Sequence, residues 1–144
     1  MLRSDKIYES GMASGVKTFF SNQGYIAFDE IPSGQKRIDL LFVYANFPKM
    51  VAVELKVRDW RRAFRQALHD KFCAHRVYVA IWHEFFKRVD QELFRRYGIG
   101  ILEVGRDDIE ERIAPKKCAS KLTVSMRSIL TYLEEERNQR FVWG

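Results

Sequence analysis

The chain has 144 residues, 47% of them hydrophobic, with two cysteines and a formal net charge of +6. These totals fit one domain with an ordinary core and reduced thiols, and they argue against a disordered tail or a disulfide framework. No apolar run approaches the roughly 20 residues of a membrane span, so a cytoplasmic protein without a membrane partner is expected, and the positive surplus favours an anionic one.

Ser4 to Ser21 has helical periodicity, with Glu9, Met12, Ala13, Val16 and Phe20 on one face. Gly11 and Gly15 each weaken such a helix by about 1 kcal/mol relative to alanine, which points to a close packing approach. Gly24 ends the segment. Tyr25 to Ile31 reads as a strand, and Pro32-Ser33-Gly34 as a turn. Arg37 to Phe47 and Met50 to Val57 are two further strands, joined around Asn46-Phe47-Pro48-Lys49 as an antiparallel hairpin. Asp59 is placed to cap a helix from Trp60 to Ala74, whose apolar stripe is Trp60, Ala63, Phe64, Ala67 and Leu68.

Val77 to Trp82 is a buried strand, Glu84 to Tyr97 a helix ended by Gly98, and Ile99 to Val104 a short strand. A charged stretch from Arg106 to Lys121 leads to a last helix at about 122–140, with Met126, Ile129, Leu130 and Leu133 on one face. Phe141-Val142-Trp143 is an apolar end that can dock on the domain or on a second subunit. The order α-β-β-β-α-β-α-β-α predicts an α/β fold, a mixed sheet with helices on both faces.

The chemistry concentrates between Ile38 and Val57. Strand side chains alternate, so Glu54 and Lys56 share one face while Val53, Leu55 and Val57 share the other. An acid and a base in a buried strand are costly unless they bind something. Phosphodiester hydrolysis needs a metal, a positioned water and a charge that steadies the transition state. Asp39 and Glu54, on adjacent strands, can offer two carboxylates to one magnesium ion, which prefers carboxylate oxygen and water. The Leu55 carbonyl lies between the two polar side chains as a further oxygen ligand, and Lys56 can orient the water or stabilise the developing charge.

Asp39, fourteen residues, then Glu54-Leu55-Lys56 resembles the PD-(D/E)xK nuclease superfamily, although Ile38 replaces the proline of the motif's name. The resemblance implies a restriction-endonuclease-like core over about residues 4–104 within a single nuclease-like domain. It also implies a DNA substrate and a magnesium cofactor, for which manganese would substitute. Asp39 and Glu54 match the family's metal ligands and Lys56 its lysine. Glu9, an acid in the apolar arc of the first helix, matches the helix glutamate that completes the metal site in many members. Gln66, at the edge of its helix stripe, matches a glutamine that reaches the site. Pro32-Ser33-Gly34 is an ordinary turn sequence, yet it is similar to a loop of archaeal Holliday-junction resolvases, which would bring Ser33 to the substrate.

Arg58, Arg61, Arg62 and Arg65 follow the motif, and a basic helix face beginning beside a metal site would contact phosphates. Lys116, Lys117, Lys121 and Arg127 form a second basic group that could flank the substrate. His69, His75 and His83 lack metal-binding spacing, and Cys73-Ala-His75 has no second pair for zinc. Three readings follow: a structure-specific endonuclease, a catalytically inactive subunit of the same fold in a larger complex, or a buried ion-pair network of Asp39, Glu54 and Lys56. Cutting both strands would call for two sites, hence a homodimer, and a protein partner could supply specificity.

Overall fold

The computed structural model describes residues 3–44, 46 and 49–142. Helix α1 (Arg3–Ser21) precedes three strands, β1 (Ile26–Ser33), β2 (Lys36–Val43) and β3 (Met50–Lys56). Then come α2 (Trp60–Asp70), β4 (Arg76–Trp82), a 3-10 segment (His83–Arg88), α3 (Gln91–Tyr97), β5 (Gly100–Val104), β6 (Ile109–Ile113) and α4 (Val124–Glu136). The strands form one six-stranded sheet in sequential order. Its centre, β3-β4-β5, is parallel, and the pairs β1–β2, β2–β3 and β5–β6 are antiparallel.

The sheet is covered unequally. Met12, Val16 and Phe20 of α1 pack with Val51, Val53, Leu55, Ala80 and Leu102 on one face. On the other, Trp60, Ala63 and Phe64 of α2, Phe94 of α3, and Ile129, Leu130 and Leu133 of α4 pack with Ala52, Val77, Val79 and Ile101. The parallel centre is buried on both sides, and its strands accordingly read as near-continuous apolar runs. Gly15 has Ile109 Cδ1 3.5 Å from where a Cβ would stand, the close approach its position suggested, whereas Gly11 faces open space.

Several expected boundaries move. The charged stretch after Val104 contains a strand, β6, so a second strand follows β5 in the element order. Only Ile109 and Ile113 of β6 turn inward, and Glu110, Glu111 and Arg112 protect an edge that needs no apolar alternation. The helix expected over 84–97 breaks in two. Val89 is extended, and Asp90 caps α3 by accepting the Leu93 N–H at 3.2 Å. Helix α2 stops at Asp70, four residues short of Ala74, and the next turn closes with Cys73 N–H on the Asp70 carbonyl at 2.8 Å.

β1 runs through Pro32 and Ser33, a place that an edge strand allows proline, and the turn falls on Gly34 with φ 63°. Helix α4 starts at Val124 and ends at Glu136; Thr123 Oγ1 caps it by accepting the Met126 N–H at 3.1 Å. The connection through Phe47 and Pro48, and Trp143 at the apolar end, lie outside the described residues. Phe141 docks on the domain, buried, with its ring 6.4 Å from that of Phe28.

Candidate active site

The β2–β3 ladder stops at Leu40 opposite Val53. One step further in register, Asp39 would face Glu54, but the strands part there and Asp39 Oδ2 accepts the Leu55 N–H at 2.8 Å. A strand residue sends its N–H and C=O to the same edge, so the Leu55 carbonyl faces the same gap. β1 bends at this level, where Glu30 has φ 49°. Beyond the bend, Ile31 and Ile38 join the apolar cluster beneath α2. The β1–β2 tip thus folds over the α2 face, and Ser33 Oγ lies 3.1 Å from Cys73 Sγ.

Glu54 projects from β3 on the α2 face and is fully buried. Neither of its carboxyl oxygens meets an N–H or hydroxyl donor. Asp70, the last residue of α2, is 3% exposed, and its Oδ2 has no such donor either. Burial raises the Glu54 pKa strongly, and the neighbouring carboxyls of Asp70 and Asp39 raise it further. Burial raises Asp70 as well, with Asp39 adding to the shift while the contact with Glu54 and the charge of Lys36 oppose it. Two buried acids side by side can satisfy each other only by sharing a proton, and a cation would replace that proton.

Lys56 is half-buried on the same face as Glu54, two residues along. Among the described residues it makes no ion pair with Asp39 or Glu54; the pairs lie elsewhere, as in Lys17 with Asp29 and Arg112 with Glu103. A closed ion-pair network is therefore not what holds these three residues. Gln66 is half-buried with its Oε1 enclosed and lacking a donor. It precedes Asp70 by one helical turn and shares its face.

Glu9 stands apart from this group. It is half-buried on α1, which covers the opposite face of the sheet, where Leu55 points. Tyr8 beside it stacks on Trp82 at 5.2 Å, so Glu9 sits at the end of the sheet from which Lys56 emerges.

Among the described residues, no three Asp, Glu, His or Cys side chains converge so as to hold a metal ion by themselves. Magnesium asks for less: it keeps several waters and binds through one or two carboxylates. Asp39, Glu54 and the Leu55 carbonyl fit that demand, and the donorless oxygens of Glu54 are the observation that favours a cation there.

Arg58, Arg61, Arg62 and Arg65 are all exposed, and the Arg61 guanidinium lies over the Trp60 ring at 4.6 Å. The second basic group is elsewhere. Lys116 N–H bonds the Gly98 carbonyl and Cys118 N–H the His75 carbonyl, which places Lys116 and Lys117 beyond the start of β4 and β5, at the other end of the sheet from Lys56. His75 is structural: its Nδ1 accepts the Met50 N–H at 3.0 Å. A cavity of about 710 Å³ lies between α1 and the β5–β6 turn, and none of the clustered acids lines it.

Asp70 went unread in the sequence although a signal was present. It continues the stripe Trp60, Ala63, Ala67 at helical spacing, an acid on an apolar face, as Glu9 is.

No protein-family model matches the sequence, and no curated protein sequence does. Among solved structures, the fold is similar to that of SPO1766, a protein of unknown function from Silicibacter pomeroyi, with a TM-score of 0.71 at 16% identity, covering 90% of this chain and 86% of that one. A second match is SfsA of Pyrococcus furiosus, solved in complex with Ca2+, with a TM-score of 0.41 at 14% identity over 77% of this chain and 62% of that one. The first likeness shows the fold, a mixed α/β sheet flanked by helices.

Proposed function

We propose that the chain is a magnesium-dependent DNA endonuclease with a restriction-endonuclease-like core. The observation that carries the reading is the gap between β2 and β3, where Asp39 and the buried, donorless Glu54 stand together with Lys56 on the face of Glu54. The order α1, β1–β3, α2, β4 supports the fold assignment. Asp39, Glu54 and the Leu55 carbonyl would hold the ion, for which manganese would substitute. The chemistry that such an ion supplies is neutralisation of phosphate charge and polarisation of the phosphoryl group.

The chain's own residues do the rest. Asp39 is held in place by the Leu55 N–H. Lys56 brings a positive charge to the side of Glu54, where it orients the attacking water and steadies the extra negative charge of the transition state. Gln66 and Asp70 line the same side from α2. The arginines from Arg58 onward fix the phosphate backbone without reading bases. Cleavage of both strands would call for a homodimer, and selectivity would rest on substrate structure or on a protein partner.

The test is a cleavage panel of duplex, single-stranded, flap and junction DNA with magnesium or manganese. Glu54→Ala and Lys56→Ala should each abolish cleavage. Variants that cut as well as the parent would overturn the assignment.

A further inference from the structure

Part of the second basic group converges on a cleft far from the candidate active site. Lys116 and Lys117 join Lys71, just past α2, and Arg96, near the end of α3, around a cavity of about 260 Å³. Tyr97, Gly98 and Cys118 complete the lining, and no acid among the described residues takes part. Arg96, Lys116 and Lys117 are exposed and Lys71 is half-buried. Among the described residues none of these cations has an ion-pair partner.

Backbone contacts bring them together. Lys71 Nζ donates to the Tyr97 carbonyl at 2.9 Å, which ties the end of α2 to the end of α3. Lys116 N–H donates to the Gly98 carbonyl at 3.0 Å, and its Cβ lies 3.0 Å from where a Gly98 Cβ would stand. Cys118 N–H reaches the His75 carbonyl at 2.7 Å. Two neighbours feel the positive field. Burial lowers the His75 pKa and Lys117 lowers it further. Burial raises the Cys118 pKa, and the charges of Lys71 and Arg76 oppose it.

Like charges held around one cleft repel, and a multivalent anion relieves that. A phosphate group suits the place best. A phosphate monoester carries about −1.5 to −2 charge near neutral pH and offers several strong acceptor oxygens. A planar guanidinium and the ammonium groups beside it can meet those oxygens from different sides. The cavity of about 260 Å³ is just under the roughly 300–1,000 Å³ of whole small-molecule sites, so it takes a phosphate and part of what carries it.

We propose that this cleft is a phosphate-binding site, held by Lys71, Arg96, Lys116 and Lys117, for the phosphate of a nucleotide or for free phosphate. It lies at the end of the sheet opposite Lys56 and does not depend on the nuclease reading.

The experiment uses Cys118 as a reporter on the cleft wall, since Cys73, the other cysteine, is buried. Alkylation of Cys118 by iodoacetamide, located by mass spectrometry, is followed in chelator at constant ionic strength. Inorganic phosphate, a nucleoside monophosphate and the bare nucleoside are each titrated. Both phosphates should slow labelling saturably by about fivefold or more, by contact and by weakening the positive field, and the nucleoside should not. Calorimetry measures the same affinities. Arg96→Gln and Lys117→Gln should each weaken binding roughly tenfold. Lys87→Gln, which removes an exposed charge at the opposite end of the sheet, should leave it unchanged. Melting temperatures equal to the parent's show that the variants are folded. Tighter binding of the nucleotide than of phosphate identifies nucleotides as the source, and equal affinities identify free phosphate. Absence of saturable protection, protection by the bare nucleoside, or equal losses in Lys117→Gln and Lys87→Gln overturns the proposal.

Discussion

The Leu55 N–H, released where β2 leaves β3, is taken up by Asp39 Oδ2 at 2.8 Å. One contact thus repairs an orphaned backbone donor and fixes a carboxylate beside Glu54. The two roles of Asp39 can be separated. Asp39→Asn keeps an acceptor for the N–H but loses the charge, so it should cost under about 1 kcal/mol of stability yet abolish the magnesium-induced rise in melting temperature. Asp39→Ala should lose both. Calorimetry of the two variants with and without magnesium checks this, and a full magnesium response in Asp39→Asn would refute it.

Glu54 makes the metal-free protein less stable at neutral pH than it could be. Its pKa in the fold is raised above 4.5, chiefly by burial. A raised carboxyl means that the folded state holds its proton longer than the unfolded chain, so this contribution is complete below pH 4.5 and is lost as pH climbs towards the folded value. In chelator, Glu54→Gln should therefore raise the melting temperature at pH 8 by about 3 °C or more, with a smaller gain at pH 5. It should also remove the response to magnesium. A variant less stable than the parent at pH 8 would contradict this account.

Lys56 makes no ion pair with either carboxylate, so its charge is expected to serve substrate and not the fold. Lys56→Met should leave the melting temperature and its magnesium response nearly unchanged while cutting the cleavage rate by about 100-fold or more. Parallel melting and single-turnover assays separate the two effects. A large loss of stability with residual full activity would reverse the assignment.

His75 gives an acid limb of opposite sign. Burial, with Lys117, Arg76 and Lys49 nearby, lowers its pKa from 6.5, and its Nδ1 can accept the Met50 N–H only when unprotonated. The unfolded chain takes up the proton first. Stability from this group is whole above pH 6.5 and falls as pH drops towards the lower folded value. His75→Asn, with Oδ1 in place of Nδ1, should remove that part of the pH dependence. Denaturant titrations between pH 5 and 8 measure it, and identical slopes in parent and variant would rule it out.

Gly11 faces open space on α1. Gly11→Ala should stabilise the protein by about 0.5–1 kcal/mol through helix propensity alone. Thermal melting reads this directly, and destabilisation would mean that the position is covered in solution.

Much of this was legible because periodicity and burial agree. The apolar runs at Val77 to Trp82 and Ile99 to Val104 are buried on both faces, and the stripes of α1 and α2 fall where 3.6-residue spacing puts them. β6 was not legible, since an edge strand with charges at three consecutive positions carries no alternation. The break at Val89-Asp90 was hidden by an apolar stripe that runs on across it. At the site, Asp39, Glu54 and Lys56 could be read from a strand pattern. Glu9 followed the same logic, but the sequence does not say which face of the sheet α1 covers. The place of Asp70 on the α2 stripe was legible, but its partner was not: burial sets it against Glu54, with no donor for its Oδ2.

The three clustered acids, Lys56, Gln66, Arg58, Arg61, Arg62 and Arg65 all fall within residues 39–70, a single stretch that spans most of β2 with β3 and α2. Glu9 lies before it, and the cavity of about 710 Å³ is lined from both sides of it, by Gly15 before and Trp82 after. Such an arrangement divides labour along the chain. A change before or after the stretch leaves each clustered acid in place, whereas a change where β2 and β3 part moves Asp39 and the Leu55 N–H together.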